Sequence, residues 1–184
     1  MKDQDRPCSP SDVVTYWREA GPGRWFRKDP SFDAEFRARF AVEHELAAEG
    51  SLAVWRETAE GALALLVLLD QYPRNSFRGT PRMFATDAAA REVADAALAR
   101  GFDRETDAAL RQFFYLPFMH SEDLADQERS VRLYEPLGAE GRHYAEVHRE
   151  AIARFGRFPH RNPILGRAMK PEERAYLDAG GFAG

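Results

Sequence analysis

The sequence holds a single cysteine, Cys8, so no intramolecular disulfide can form. That suits a reducing compartment. Long apolar runs are missing too. The longest, Ala62 to Leu69, falls far short of the ~20 residues a membrane-spanning helix needs. The opening MKDQDRPCSP has no apolar centre of the signal-peptide kind. It reads as a flexible tail over residues 1–10 that carries Cys8 with it. A cytoplasmic protein without a membrane partner is expected. An excess of positive charge is lacking as well: 26 Lys and Arg face 30 Asp and Glu, a net charge of −4. A nucleic-acid partner is therefore not expected. The chain has no GxGxxG, no Walker sequence, no HExxH and no paired-cysteine motif, and no cofactor is expected. Period-two alternation and low-complexity stretches are absent, so neither strands nor a domain-dividing linker is predicted.

What is present is helical periodicity. Ser11 is placed to cap a short helix bearing Val13, Val14, Tyr16 and Trp17, stopped by Gly21-Pro22. Phe32, Phe36, Phe40 and Leu46 form one stripe that ends at Gly50. Residues 55–71 are apolar nearly all round at their end, which predicts a central helix covered on most sides. Pro73 is expected to break it and leave YPRNSFRGTPRM as a loop. Helices then follow from Thr86 or Asp87 to Arg100, from Asp103 to about Met119, from Ser121 to about Gly138, and from Arg142 to Phe155. A short final one opens at Pro171. The prediction is a single all-α domain over 11–184, of antiparallel helix pairs stacked side by side.

The stretch FGRFPHRNPILGR, residues 155–167, fits no helix or strand pattern. Two prolines stiffen it, and Arg157, Arg161 and Arg167 bring forked donors suited to carboxylates or phosphates. YPRNSFRG at 72–79 echoes it, with an aromatic, Pro, Arg and Asn directly after a helix. Asp70 extends an apolar face at a helix C-terminus, where the dipole disfavours an anion. It needs a cation, and Arg74, Arg78 and the arginines of 155–167 are the candidates. One reading is a clasp between two loops. In the other, Asp70 orients an arginine that grips a ligand. His148 shares a face with Ile152 and Phe155; His120, Glu122 and Asp123 stand together at a helix start, and His160 lies in the arginine loop. These histidines and carboxylates allow an acid–base set, with His120, Asp123 and His160 the catalytic candidates. Their spacing matches no metal motif, and no metal is predicted.

VLLDQYPRNSFRGTPRMFATDAAAR, FFYLPFMHSEDLADQE and HREAIARFGRFPHRNPILGR, with the earlier WF..D..FD..F at 25–36, together resemble a family of uncharacterised, mainly bacterial proteins. The resemblance runs over essentially the whole chain. It implies an all-helical, tetratricopeptide-like fold and no established activity. It also implies that the hallmark positions are Asp70, Gln71, Arg74, Asn75, Arg78, His120, Ser121, Glu122, Asp123, Gln127, His148, Arg157, His160, Arg161 and Asn162. Three functions stay open on the residues: a helical protein binding a small anion or a peptide in a concave polar site, a hydrolase-type enzyme, or a purely structural polar network.

Overall fold

The computed structural model describes residues 8–184, and all regular structure among them is helical. The all-α expectation holds. The tail expected over 1–10 lies outside the described residues except for its last three positions. There Ser9, not Ser11, is the N-cap: its N–H and hydroxyl both bond the Asp12 carboxylate, and Pro10 opens α1 (Pro10–Ala20). Cys8 packs partly buried beside the main core, and burial, with Glu43 and Asp12 nearby, pushes its thiol up to about 11.

α2 (Pro22–Trp25) and α3 (Pro30–Ala48) fold an aromatic block against α1. Tyr16, Trp17, Trp25, Phe32 and Phe36 stack on one another, and Trp25 Nε1 donates to the Trp17 carbonyl at 2.6 Å. The central helix is α4 (Ala59–Leu66); every residue from Gly61 to Leu69 is buried, as an apolar surface on all sides requires. It packs against α1 and α6 (Asp87–Ala99).

Pro73 does not break this helix. A π turn over Val67–Gln71 carries the chain into α5 (Tyr72–Ser76), so the predicted loop is helical through Ser76. The cause is local. Pro73 has no N–H for the Leu69 carbonyl, and the Tyr72 N–H shifts to the Val67 carbonyl, which frees Leu68 as well. Both orphans find donors from other helices: Thr86 Oγ1 at 2.5 Å to Leu69, and His44 Nδ1 at 2.9 Å to Leu68. His44 is therefore the Nδ1–H tautomer.

The helix expected from Asp103 to Met119 is instead a series of short turns: α7 (Phe102–Glu105), α8 (Ala108–Arg111) and α9 (Leu116–Met119), with a 3-10 turn at Gln112–Phe114. Thr106 is extended, and the Arg111 guanidinium takes the carbonyls of Asp103 and Thr106 that a continuous helix would use. α10 (Leu124–Tyr134) and α11 (Ala139–Phe155) pair closely, and α12 (Pro171–Asp178) follows the arginine loop. Beneath α11 a satellite core forms from Ala151, Ile152 and Phe158, with Phe182 packed on it.

Candidate functional site

The π turn sets Asp70 into the interior, 1% exposed, at the meeting of three segments distant in sequence. Its Oδ1 lies 2.8 Å from His120 Nδ1 and 3.2 Å from Arg74, and its Oδ2 accepts from Gln71 Nε2 at 2.6 Å. Arg74 forks onto Asp87, the first residue of α6, at 2.9 and 3.2 Å. Arg161 then joins from the far loop. One of its terminal nitrogens is 3.5 Å from Asp87, and the other donates to the His120 carbonyl at 2.9 Å. Its guanidinium lies over the rings of Phe84 and Phe158, at 4.4 and 4.5 Å. The loop 155–167 is thus tied to the DQYPRN segment through Asp87 and the His120 carbonyl, not through Asp70 itself. Arg74 and His120 already occupy the Asp70 carboxylate.

Burial works against the charge on Asp70, but Arg74 and the hydrogen bonds of His120 and Gln71 outweigh it and hold the carboxyl well below the usual range. For His120, burial and the charge of Arg74 prevail over the pull of Asp70 and lower its pKa. At neutral pH the ring is uncharged, with its proton on Nδ1 facing an ionised Asp70. Nε2 has no hydrogen-bond partner among the described residues. Arg161 is pulled down to about 10, first by burial and then by Arg74. Its Nε is buried and unpartnered among the described residues. A guanidinium 7% exposed therefore uses only part of its donor capacity.

His148 donates through Nδ1 to the Tyr144 carbonyl at 2.7 Å, and its ring lies 6.3 Å from that of His120. Burial and then the nearby His120 bring it down to about 3. His160, lowered to about 4 by burial and then by Arg161, stands beside Phe158. The Phe182 ring closes over His148 at 4.1 Å and His160 at 5.0 Å.

The remaining expected residues fall into separate clasps. Glu122 takes Arg167 in a fork at 2.7 and 2.9 Å and accepts the Phe158 N–H, which holds its pKa down against burial. Arg157 forks onto Glu173 at 2.6 and 2.9 Å, and Asn162 donates to the same carboxylate at 3.0 Å. Asn75 and Arg78 seize Asp33 at 2.7 Å each. The two echoing loops thus do the same work: each Asn–Arg pair holds an acid in the first turn of a helix that opens with proline, α3 or α12. Asp123 is the N-cap of α10, its carboxylate accepting the N–H groups of Ala125 and Asp126, so the helix expected from Ser121 starts later; Ser121 Oγ accepts the Asp123 N–H.

Sequence reasoning overlooked Asp87, Asp33, Glu173 and Phe182. The three acids all stand in a helix's first turn, where the dipole already accounts for them. The usable signal was the arginine count of each neighbouring loop, which demands acids elsewhere. No group of three or more His, Cys, Asp or Glu among the described residues is placed to hold a metal ion. Nor is any helix there long and apolar enough to cross a membrane. Surface depressions of about 180 and 210 Å³ lie beside Tyr16, Phe32 and Arg39, and beside Val14, Leu63 and Thr106. Neither adjoins the Asp70–Arg161 network.

An all-helical protein that knots three loops through one buried ion network is the class these features define. The chain belongs to DUF924, a family described as bacterial protein of unknown function, which matches residues 13–181. The family resemblance drawn from the three sequence blocks holds. A solved structure titled as a protein of unknown function, ATU0120 from Agrobacterium tumefaciens, is 53% identical, with a TM-score of 0.91 over 93% of this chain and 97% of that one. Comparison with curated proteins gave no match.

Proposed function

We propose that this is a binding protein for a small anion, a carboxylate or a phosphate, received at Arg161 beside His120. The observation that carries the reading is the unpartnered Nε of a guanidinium that is nine-tenths buried. Buried donors are nearly always satisfied, so an idle one on a charged group calls for an acceptor. His120 stands beside it with an Nε2 that has no partner among the described residues, and for a phosphate this nitrogen can receive a hydrogen bond from the hydroxyl of the monohydrogen or dihydrogen ion. The concave groove of the sequence reading is not required: the anion would enter an opening made by local movement.

The test is thermal melting of the protein against inorganic phosphate, sulfate and acetate, with Arg161→Gln and Arg157→Gln as variants. An anion present at 100 times its Kd adds about 2.7 kcal/mol, or roughly 5–10 °C for a domain of this size. The expected pattern is a raised midpoint for the wild type, no response for Arg161→Gln, and a retained response for Arg157→Gln, whose guanidinium already holds Glu173. Midpoints that stay flat for every anion up to high millimolar concentration, together with a low melt for Arg161→Gln, would make the network a structural clasp and nothing more.

A further inference from the structure

The His148–His160–Phe158 corner is an aromatic cage, and the chain itself fills it. The Phe182 ring sits 4.1 Å from His148, 5.0 Å from His160 and 5.9 Å from Phe158, the last two edge to face. Phe158 is also the ring over which the Arg161 guanidinium lies. One phenyl ring therefore borders both the idle cation and the filled cage.

The segment that delivers Phe182 is shaped for the task and lightly held. α12 ends at Asp178, and Gly180 turns the chain with φ +84°. Gly181 runs so close to Tyr176 that a Cβ there would meet the ring at 2.5 Å. Gly184 crosses the His160 ring, where a Cβ would stand 3.1 Å from Cδ2 and Nε2. Past Gly181 the backbone donates one hydrogen bond, from the Phe182 N–H to the Tyr176 hydroxyl at 2.9 Å, and the Phe182 carbonyl faces the His160 ring. Phe182 is only partly buried, and residues 183–184 are exposed. A close fit to a ring, with few ties to the rest of the molecule, is the profile of a segment that opens locally at low cost.

We infer that residues 180–184 are an internal stand-in for a ligand: the Phe182 ring occupies the seat of the aromatic ring of a small aryl carboxylate, whose carboxylate would reach Arg161. This rests on the anion reading above and narrows it to a class. The imidazoles are uncharged faces, suited to stacking on a ring. The guanidinium supplies the charge that chooses an acid over a neutral arene. The strap competes with the ligand, so the apparent affinity of the wild type is its open-state affinity reduced by the fraction of time the strap is open.

The experiment titrates wild type, Phe182→Ala and Phe182→Ala/Arg161→Gln with phenylacetate, acetate and benzyl alcohol by calorimetry. Phenylacetate is expected to bind Phe182→Ala about tenfold or more tightly than wild type. Acetate should gain far less, and the double variant should lose phenylacetate. If wild type and Phe182→Ala bind acetate and phenylacetate alike, the strap inference is overturned while the anion reading stands. If benzyl alcohol binds Phe182→Ala as well as phenylacetate does, and Arg161→Gln changes neither, the anion reading fails and the aryl-carboxylate class fails with it. Removing Phe182 also thins the satellite core, so wild type provides a second measurement independent of its folding. Saturating phenylacetate should speed hydrogen exchange of the Phe182 amide about tenfold or more as its bond to Tyr176 opens. Binding of phenylacetate with that amide still protected would sink the inference.

Discussion

Asp70 and Arg161 show how differently two buried charges can be treated. The carboxylate has a full set of partners in His120, Arg74 and Gln71. The guanidinium has one carbonyl, one shared carboxylate at 3.5 Å and an idle Nε. Taking charges out of water is costly, and the cost is recovered only where each is closely paired. Asp70 is thus fully paired, and Arg161 is not. Asp70→Asn leaves Arg74 facing a neutral group and deprives the His120 Nδ1–H of its anion. The expected loss is about 3–5 kcal/mol in urea unfolding. A loss under about 1 kcal/mol would show that the carboxylate is not carrying the network.

At the scale of elements, the π turn matters most. Without its extra residue the turn would not aim Asp70 at His120 beyond α9, nor Arg74 at Asp87 at the start of α6. The turn survives because Thr86 and His44 serve the two carbonyls it frees. Thr86→Val keeps the side-chain shape and removes the donor to Leu69. A buried carbonyl left alone costs roughly 1–3 kcal/mol, which equilibrium urea titration can resolve. Pro73→Ala restores an N–H for that same carbonyl. The double variant Pro73→Ala/Thr86→Val should therefore be less destabilised than the sum of the singles, a non-additivity a double-mutant cycle reads directly.

For the whole molecule, the uncharged histidines set the response to acid. His148 and His160 have folded pKa values of about 3 and about 4, both below the ordinary 6.5, and burial moves His44 in the same direction. Below pH 6.5 the unfolded chain takes up these protons and the folded one does not. Stability is thus whole above pH 6.5 and falls as pH drops toward 4. Each histidine contributes a slope of about 1.4 kcal/mol per pH unit. Glu173, held at about 2 by Arg157, adds a second loss in the same direction as pH falls from about 4.5 toward 2. Unfolding free energies at pH 7.5 and pH 5 should differ by several kcal/mol, and His160→Asn should flatten that difference. Equal stability at the two values would contradict the burial of these rings.

Much of this was legible along the chain. Apolar spacing alone indicated α1, α3, α4, α10 and α11, because a helix must bury one stripe, or every side, whatever its neighbours are. The residue types of the network were legible too: a carboxylate on an apolar face and arginines on a proline-stiffened loop both demand partners. Which partners they took was not. Asp87, Asp33 and Glu173 each had a sufficient local explanation at a helix start, so nothing in the sequence linked them to arginines outside their own helices. The π turn at Val67–Gln71 was equally invisible, since its two freed carbonyls are satisfied by His44 and Thr86 from other helices. Phe182 in a glycine-rich stretch gave no periodic signal at all. Local sequence fixes what a segment can bury and which groups it cannot leave unpaired; only the packed fold decides which distant group arrives to pair with them.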